Sequence, residues 1–429
     1  MGGRNYYNDV QGIGSPPVVV PVGVPYVVDG DSNSMISFGG IFPDQWSLFA
    51  TPAPLENNAV GNTRLTQGIS PCIDRIPGDL LVSGVEAIAI TWGPNDIRDY
   101  MGVDLLTPAQ TIAKLKEDII AISRLCISSN VAFVIGTCHY LREAIDVWNA
   151  TPKPPWNGTG REDCEALIDT MNAWLLLLEG PLTWTVADIR PAVNDPDGID
   201  GLKGMKPGFN WGGAHWDTVG SELIGPIYQD ALSRAVQPQP QTFHFDESIL
   251  RITDYLPENT LTGGQITFDI VKDSNAGVQT MLSTKTIGGF PNMMLQSAAG
   301  GTGNIAFMFG GPSGYNVLVP SSRPTGIEMA VSITWPAGAT AATVEIGAIY
   351  SGTPGTVAAF AASQYLALGT LLSDSETISN SWVGNIKNLK IYDGGYLIHD
   401  LPINDGGSDI LDLITGDTYI LTAGSGAWT

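Results

Sequence analysis

Charge is scarce in this chain, and positive charge is scarcest. Only 15% of the 429 residues are Asp, Glu, Lys or Arg, and 20 basic residues face 43 acidic ones, a formal net charge of −23. A protein that grips nucleic acid by its phosphates needs a basic footprint. Attraction to an anionic membrane surface needs one too. The composition therefore predicts neither nucleic acid nor membrane as a partner. Cysteine is nearly as rare. Cys72, Cys126, Cys138 and Cys164 are the only four, and no pair has CxxC spacing. That excludes a disulfide scaffold and a paired-cysteine zinc site, and predicts reduced, buried thiols. Neither a metal nor an organic cofactor is predicted. Apolar runs are short and interrupted by Gly or Pro, whereas a membrane-spanning helix needs about 20 apolar residues. The first residues, MGGRNYYNDVQGIGSPP, lack a basic stretch leading into an apolar one, so a Sec-type leader is not predicted.

Glycine and proline are plentiful, at 51 and 29 residues, and 43% of the chain is hydrophobic. Such a chain builds substantial cores from short elements joined by many turns. Its length suits two domains. Residues 1–24, with Tyr-Tyr and PPVVVPVGVP, read as an extended N-terminal arm with no core of its own. Residues 25–235 mix short apolar runs with amphipathic segments. Residues 236–244, VQPQPQTFH, alternate Pro and Gln as an extended linker does. Residues 245–429 are β-branched, alternating and punctuated by glycine.

In 25–235 the strand candidates are Tyr26–Asp29, Ala87–Thr91, Ala132–Gly136 and Trp184–Asp188. Helical periodicity lies between and after them. Thr107 and Pro108 form a helix start, with Ile112, Leu115, Ile119, Ile122 and Leu125 on one face. Further helices are expected over Glu162–Leu178 and Ser221–Ala235. Strands alternating with helices predict an α/β fold with a mostly parallel sheet, whose ligand site lies beyond the carboxyl ends of the strands. In 245–429 strands are expected over Ile266–Val271, Asn304–Phe309, Tyr315–Val319, Glu328–Trp335, Thr343–Tyr350 and Ile386–Tyr392. Helical periodicity is nearly absent there, which predicts an antiparallel β-sandwich of lectin or jelly-roll type.

Four short blocks stand out, two of them at expected strand ends. Asp29-Gly30-Asp31-Ser32 closes the first strand. Gly61 lies in NAVGNT some thirty residues on. Gly93-Pro94-Asn95-Asp96 follows the second strand, and His215 sits in GGAHWD before the last helix. A serine hydroxyl attacks only when a base takes its proton, and imidazole is the base that titrates near neutrality. The oxyanion that forms needs donors already in place.

In order and spacing these blocks resemble the SGNH (GDSL-like) hydrolase family over residues 24–235. The resemblance implies a three-layer α/β/α domain and carboxylic ester hydrolysis. It makes Ser32 the nucleophile and His215 the base. The Ser32 and Gly61 backbone N–H groups and the Asn95 amide become the oxyanion hole. The family places an Asp three residues before the histidine, where this chain has Gly212. Three readings stay open: a Ser–His dyad oriented by a backbone carbonyl, a displaced carboxylate such as Asp217 or Asp200, or an inactive site. Trp92, Trp211 and Trp216 flank the motifs and are candidates for an aromatic wall against a sugar or acyl group. Asp31 and Asp96 read as turn-stabilising carboxylates, and His139 as a satisfied residue at a loop edge.

Residues 380–426 contain KIYDGGYLIHDL and, further on, LITGDTYI. They resemble the closing strands of concanavalin-like β-sandwich modules found in phage structural and tail proteins. Together the two resemblances imply an O-acetyl esterase acting on bacterial surface polysaccharide as part of a phage virion. Other virion proteins and further copies of the chain are the implied partners. The competing readings are a non-catalytic virion adhesin or decoration protein, a short-acyl or lipid esterase, and a bacterial protein secreted by a non-Sec route.

Overall fold

The structure is a computed structural model. It describes residues 24–141 except 35–45 and 69, and 160–238 except 181, 200–201, 207–208 and 212–214. Beyond these it describes 240, 242–246, 248–253, 263–273, 279–285, 293–297, 305–309, 315–318, 325–337, 342–347, 350–352, 365–369, 371–372, 378–379, 382–404, 409–422 and 427–428. The expected arm, residues 1–24, falls almost wholly outside them.

The first domain is built on parallel strands β1 (Tyr26–Gly30), β2 (Glu56–Asn57), β3 (Ala87–Thr91), β4 (Ala132–Gly136) and β5 (Thr185–Ala187), in the order β2-β1-β3-β4-β5. The four expected strands are all present, with bounds shifted by a residue or so at β1 and β5. Alternation along the strands sends side chains to two faces. Ile88, Ile90, Phe133 and Ile135 pack on one face with residues of helices α1 (Cys72–Asp79), α2 (Pro94–Gly102), α3 (Pro108–Ser128) and α4 (Gly160–Leu177). Tyr26, Val28, Ala89 and Val134 pack on the other with α5 (Thr218–Arg234) and Trp46, which stacks on Tyr228 at 3.8 Å between ring centroids. Ala-rich positions on this second face let α5 approach closely. The result is an α/β/α three-layer domain.

Local chemistry sets the helix starts. The Thr107 hydroxyl accepts from the Gln110 N–H at 3.3 Å while Gln110 Oε1 accepts from the Thr107 N–H at 2.9 Å. This reciprocal pair, with Pro108 in the first turn, satisfies N–H groups that would otherwise be orphaned. Leu115, Ile119, Ile122 and Cys126 then form the buried stripe of α3. α1 was not legible as a helix, because Pro77 interrupts its interior.

The second domain is an antiparallel sandwich. One described sheet runs Tyr350–Gly352, Thr343–Ile346, Glu328–Trp335, Gly264–Lys272, Gly384–Asp393, Phe243–Phe245 and Ala427–Trp428, with Tyr396–Leu401 also paired to Gly384–Asp393. The other runs Tyr315–Leu318, Ile305–Phe309, Met293–Ser297, Gln279–Lys285, Tyr365–Leu368, Ile249–Thr253, Thr418–Thr422 and Asp409–Leu411. Phe268, Val331, Ile333, Leu282, Leu295 and Leu366 fill the space between them. The sandwich begins at Phe243, inside the expected linker 236–244, because Phe243–Phe245 pairs with the last described strand. The expected strand over Thr343–Tyr350 is broken, with Gly347 turning at φ 51° between two paired strands.

The two domains share a core, which the linker-like composition did not foretell. Leu397, Leu413 and Ile414 of the sandwich belong to the same buried cluster as Leu115, Ile119 and Leu175. Trp174 Nε1 donates to Leu413 O at 2.9 Å and Lys116 Nζ to Ile414 O at 2.8 Å. Arg124 pairs with the fully buried Asp400. Inside this turn, Asp412 accepts from the Asp400 and Ile414 N–H groups and lies 2.5 Å from His399 Nδ1. Among the described residues no helix is long and apolar enough to cross a membrane. Truncating Leu413 to Ala should destabilise the protein by about 2–4 kcal/mol, the range for a buried leucine. Denaturant titration of the full chain measures this, and a loss under about 0.5 kcal/mol would show that the seam carries no stability.

Candidate active site

β1 is flanked by β2 on one side and β3 on the other, so the chain order reverses beside it. In open parallel sheets the crevice at the carboxyl ends of such strands is where ligands bind. All four motif blocks converge on this point or next to it.

The serine turn is built by Gly30 and Thr91. Gly30 has φ 115°, and a Cβ there would lie 2.6 Å from Thr91 O, so only glycine lets β1 pass β3 this closely before turning. Asp31 then accepts from the Asn33 N–H at 2.9 Å through Oδ1, and Ser34 N–H closes the turn on Asp31 O at 3.0 Å. Thr91 Oγ1 donates to Asp31 Oδ1 at 2.9 Å and lies 2.8 Å from Ser34 Oγ. The hydroxyl at the end of β3 therefore fixes the turn on both sides of Ser32.

His215 is delivered by a short hairpin. Asn210–Trp211 pairs with His215–Trp216, with Trp211 opposite His215. Asp217 then caps α5, accepting from the Gly220 N–H at 2.7 Å. The outcome is direct: Ser32 Oγ lies 2.7 Å from His215 Nε2, across 183 residues of sequence. The two are mostly buried, and burial pushes the imidazole pKa down while the charge of Asp31 works the other way. A neutral imidazole facing a serine hydroxyl at hydrogen-bond distance is the arrangement that removes its proton.

Asn95 stands in the first turn of α2, just beyond β3. The turn into α2 begins at Gly93, whose φ of 124° is open to glycine and whose Cβ position is already filled by Cys138 Sγ. Asn95 is 7% exposed, and its Nδ2 has no hydrogen-bond partner among the described residues. A buried amide donor left without a partner is costly, and such a group at a strand-end crevice suits an incoming negative charge. Gly61 is held near by the Val60 N–H, which donates to Gly30 O at 3.2 Å. Asp96 ties the two loops together, accepting from Leu65 N–H at 2.8 Å and Gly93 N–H at 3.2 Å. Burial raises its pKa to about 7 in spite of those donors.

Beneath the turn lies a second buried cluster that the sequence did not reveal. Asp29 is fully buried and paired with Arg75, which also donates to Gly30 O at 3.0 Å. Asp79 accepts from Asn58 Nδ2 at 2.8 Å, and its pKa rises to about 8 through burial and its neighbour Asp29. The signal in the sequence was only an arginine inside a proline-containing segment, too weak to read.

Other expectations resolve differently. Trp92 and Trp216 are not a wall: both are buried in core clusters on opposite faces of the sheet, and Trp92 Nε1 donates to Gly136 O at 2.8 Å. The Trp211 side chain, Gly212 and Asp200 lie outside the described residues. Asp217 is engaged as the α5 cap. His139 is buried, edge-on to Trp216 at 5.3 Å. Among the described residues no cluster of His, Cys, Asp or Glu is placed to hold a metal ion. A groove of about 910 Å³ between Arg124–Ser128 and the outer face of the sandwich lies away from Ser32, because α3 ends there at the start of β4.

No protein-family model and no curated protein matches this sequence. Among solved structures it is similar to a GDSL-like lipase from Bacteroides thetaiotaomicron, at 12% identity over 49% of this chain and 88% of that one, TM-score 0.34. It is also similar to a putative carbohydrate binding protein from Bacteroides ovatus, at 9% identity over 45% of this chain and 63% of that one, TM-score 0.33. A third is the heptameric SAP-like pentraxin of Limulus polyphemus, at 13% identity over 36% of this chain and 70% of that one, TM-score 0.27. This chain thus spans less than two thirds of the Bacteroides ovatus protein.

The raised acids beneath the site have a sign that can be measured. An acid whose folded pKa is raised stabilises the fold when protonated. That contribution is complete below about pH 4 and is lost as pH rises through the folded value, which for Asp79 is about 8. Asp79→Asn, neutral throughout, should therefore gain in Tm relative to wild type as the buffer goes from about pH 5 to about pH 9. A Tm difference that stays flat across this range would contradict the assignment.

Proposed function

We propose that this protein is a serine hydrolase of carboxylic esters, with Ser32 as nucleophile and His215 as its base. The observation that carries the reading is the 2.7 Å contact between Ser32 Oγ and His215 Nε2, beside a buried Asn95 amide without a partner among the described residues. His215 Nε2 takes the Ser32 proton as Oγ bonds to the ester carbon. The carbonyl π electrons move to oxygen, which Asn95 Nδ2–H and the Ser32 and Gly61 backbone N–H groups receive. Collapse breaks the bond to the alcohol, which leaves with the proton from His215. Water repeats the sequence on the acyl-serine, and the acid departs.

The substrate class is an O-acetylated carbohydrate of a bacterial surface. The closing sequence of the sandwich, residues 380–426, supports this through its resemblance, and the acidic balance does not oppose it, because neutral acetylated glycans need no basic patch. The same sequence supports a place in a phage particle, beside other virion proteins and other copies of the chain. The β-sandwich is then the part that holds the protein on its glycan or in its assembly.

Hydrolysis of p-nitrophenyl acetate, followed by acetate release from acetylated polysaccharides, tests the reading. Ser32→Ala and His215→Ala should fall to background. Asn95→Ala should keep its fold and lose about 10²–10³ in kcat, the cost of one oxyanion donor. Wild type at background on both substrate types would leave the fold as a scaffold and favour a non-catalytic adhesin. Faster turnover of longer acyl chains would move the substrate to lipids or short-chain esters.

A further inference from the structure

We propose that Arg75 is a positioning residue for the oxyanion hole: its guanidinium fixes the distance between the serine turn and the loop that carries Gly61. The proposal rests on the esterase reading of Ser32 and His215.

Arg75 stands near the start of α1, directly after that loop, and its side chain is 14% exposed. The guanidinium reaches to two sides. On the side of the serine turn, Nε lies 3.1 and 3.2 Å from the two oxygens of the fully buried Asp29. Nη2 also pairs with Asp29 and donates to Gly30 O at 3.0 Å, two residues before Ser32. On the side of the loop, Nη1 donates to Thr63 Oγ1 at 3.4 Å and to Ser70 O. The Thr63 hydroxyl in turn donates to Ser70 O at 2.7 Å, which closes the loop on itself.

Gly61 is bracketed by these attachments. Before it, Asn58 N–H donates to Val28 O at 2.8 Å and Val60 N–H to Gly30 O at 3.2 Å, so the chain leaving β2 stays paired with β1. After it, the backbone turns at Asn62, with φ 58°, and Thr63 meets Arg75. The Gly30 carbonyl thus accepts from the loop backbone and from the arginine together.

Neutralising Asp29 does not require the bonds to Gly30, Thr63 and Ser70. A lysine would supply the charge, but only the planar fork of arginine sends donors in several fixed directions at once. Nor is a buried ion pair by itself a source of stability, because desolvation can outweigh the attraction. What the fork adds is a fixed spacing between two loops. Oxyanion donors act only where the charge develops, and a misplacement of about 1 Å can cost about 10²-fold in rate.

The test compares Arg75→Lys, Arg75→Ala and Thr63→Val with wild type in the full chain. It reads p-nitrophenyl acetate kinetics and the hydrogen exchange of the Gly61 amide. Arg75→Lys should lose about 10–10²-fold in kcat, with KM and the acid limb of the pH profile in place, because His215 is not moved. Ethylguanidinium should recover part of the loss in Arg75→Ala, and ethylammonium should not. Thr63→Val keeps the pair with Asp29, so it should show a smaller loss of the same kind, and it decides alone if the arginine variants do not fold. The Gly61 amide should exchange faster in Arg75→Lys and Thr63→Val whether or not ester is turned over. A wild-type kcat in either folded variant, equal rescue by ethylammonium, or unchanged Gly61 exchange overturns the proposal. An inactive wild type whose Gly61 exchange still responds overturns the esterase reading and leaves the positioning of the loop standing.

Discussion

The contact between Gly30 and Thr91 is the constraint on which the site depends. β1 and β3 pass so closely there that a single methyl on Gly30 would strike the Thr91 backbone. That approach lets one hydroxyl, Thr91 Oγ1, hold Asp31 and reach Ser34 together. The serine between them has little freedom left. A side chain held this way has already lost the entropy that an exposed loop would lose on binding a ligand. The same closeness brings the start of α2, with Asn95, to the end of β1.

Electrostatics under the turn follow from burial in an acid-rich chain. Asp29, Asp31, Asp79 and Asp96 lie within one small region, all nearly or wholly buried. One arginine is shared by Asp29 and the Gly30 carbonyl. Backbone N–H groups serve Asp31 and Asp96. Several carboxyls in one low-dielectric region cannot all ionise as they would in water, and the pKa values of Asp79 and Asp96 are raised accordingly. Burial and like-charge neighbours shift acids in this way both at functional sites and in structural ion-pair networks.

Much of this was legible in the sequence, and the limits have physical causes. Strands such as Ala87–Thr91 and Ala132–Gly136 are short apolar runs ended by turn residues, and local pattern is enough to find them. The start of α3 is legible because Thr107, Pro108 and Gln110 act within one turn. The approach of Ser32 to His215 was legible only through motif order, because no local rule links residues 183 apart. Trp92 and Trp216 misled because position beside a motif says nothing about which face of the sheet a side chain takes. The shared core of the two domains was illegible for a similar reason. Leu413 and Ile414 look like ordinary turn residues until α3 and α4 are set against them. Asp31 was read as a turn residue, and its bonds from the Asn33 N–H and Thr91 Oγ1 bear that out.

The central claim is that His215 makes Ser32 a nucleophile. Treatment of the full chain with a small fluorophosphonate, followed by peptide mass spectrometry, tests it without knowledge of the natural substrate. The account predicts one rapid adduct, on Ser32, that is lost in His215→Ala although that variant keeps its Tm. An unlabelled Ser32 in folded wild type, or labelling that persists without His215, would contradict it.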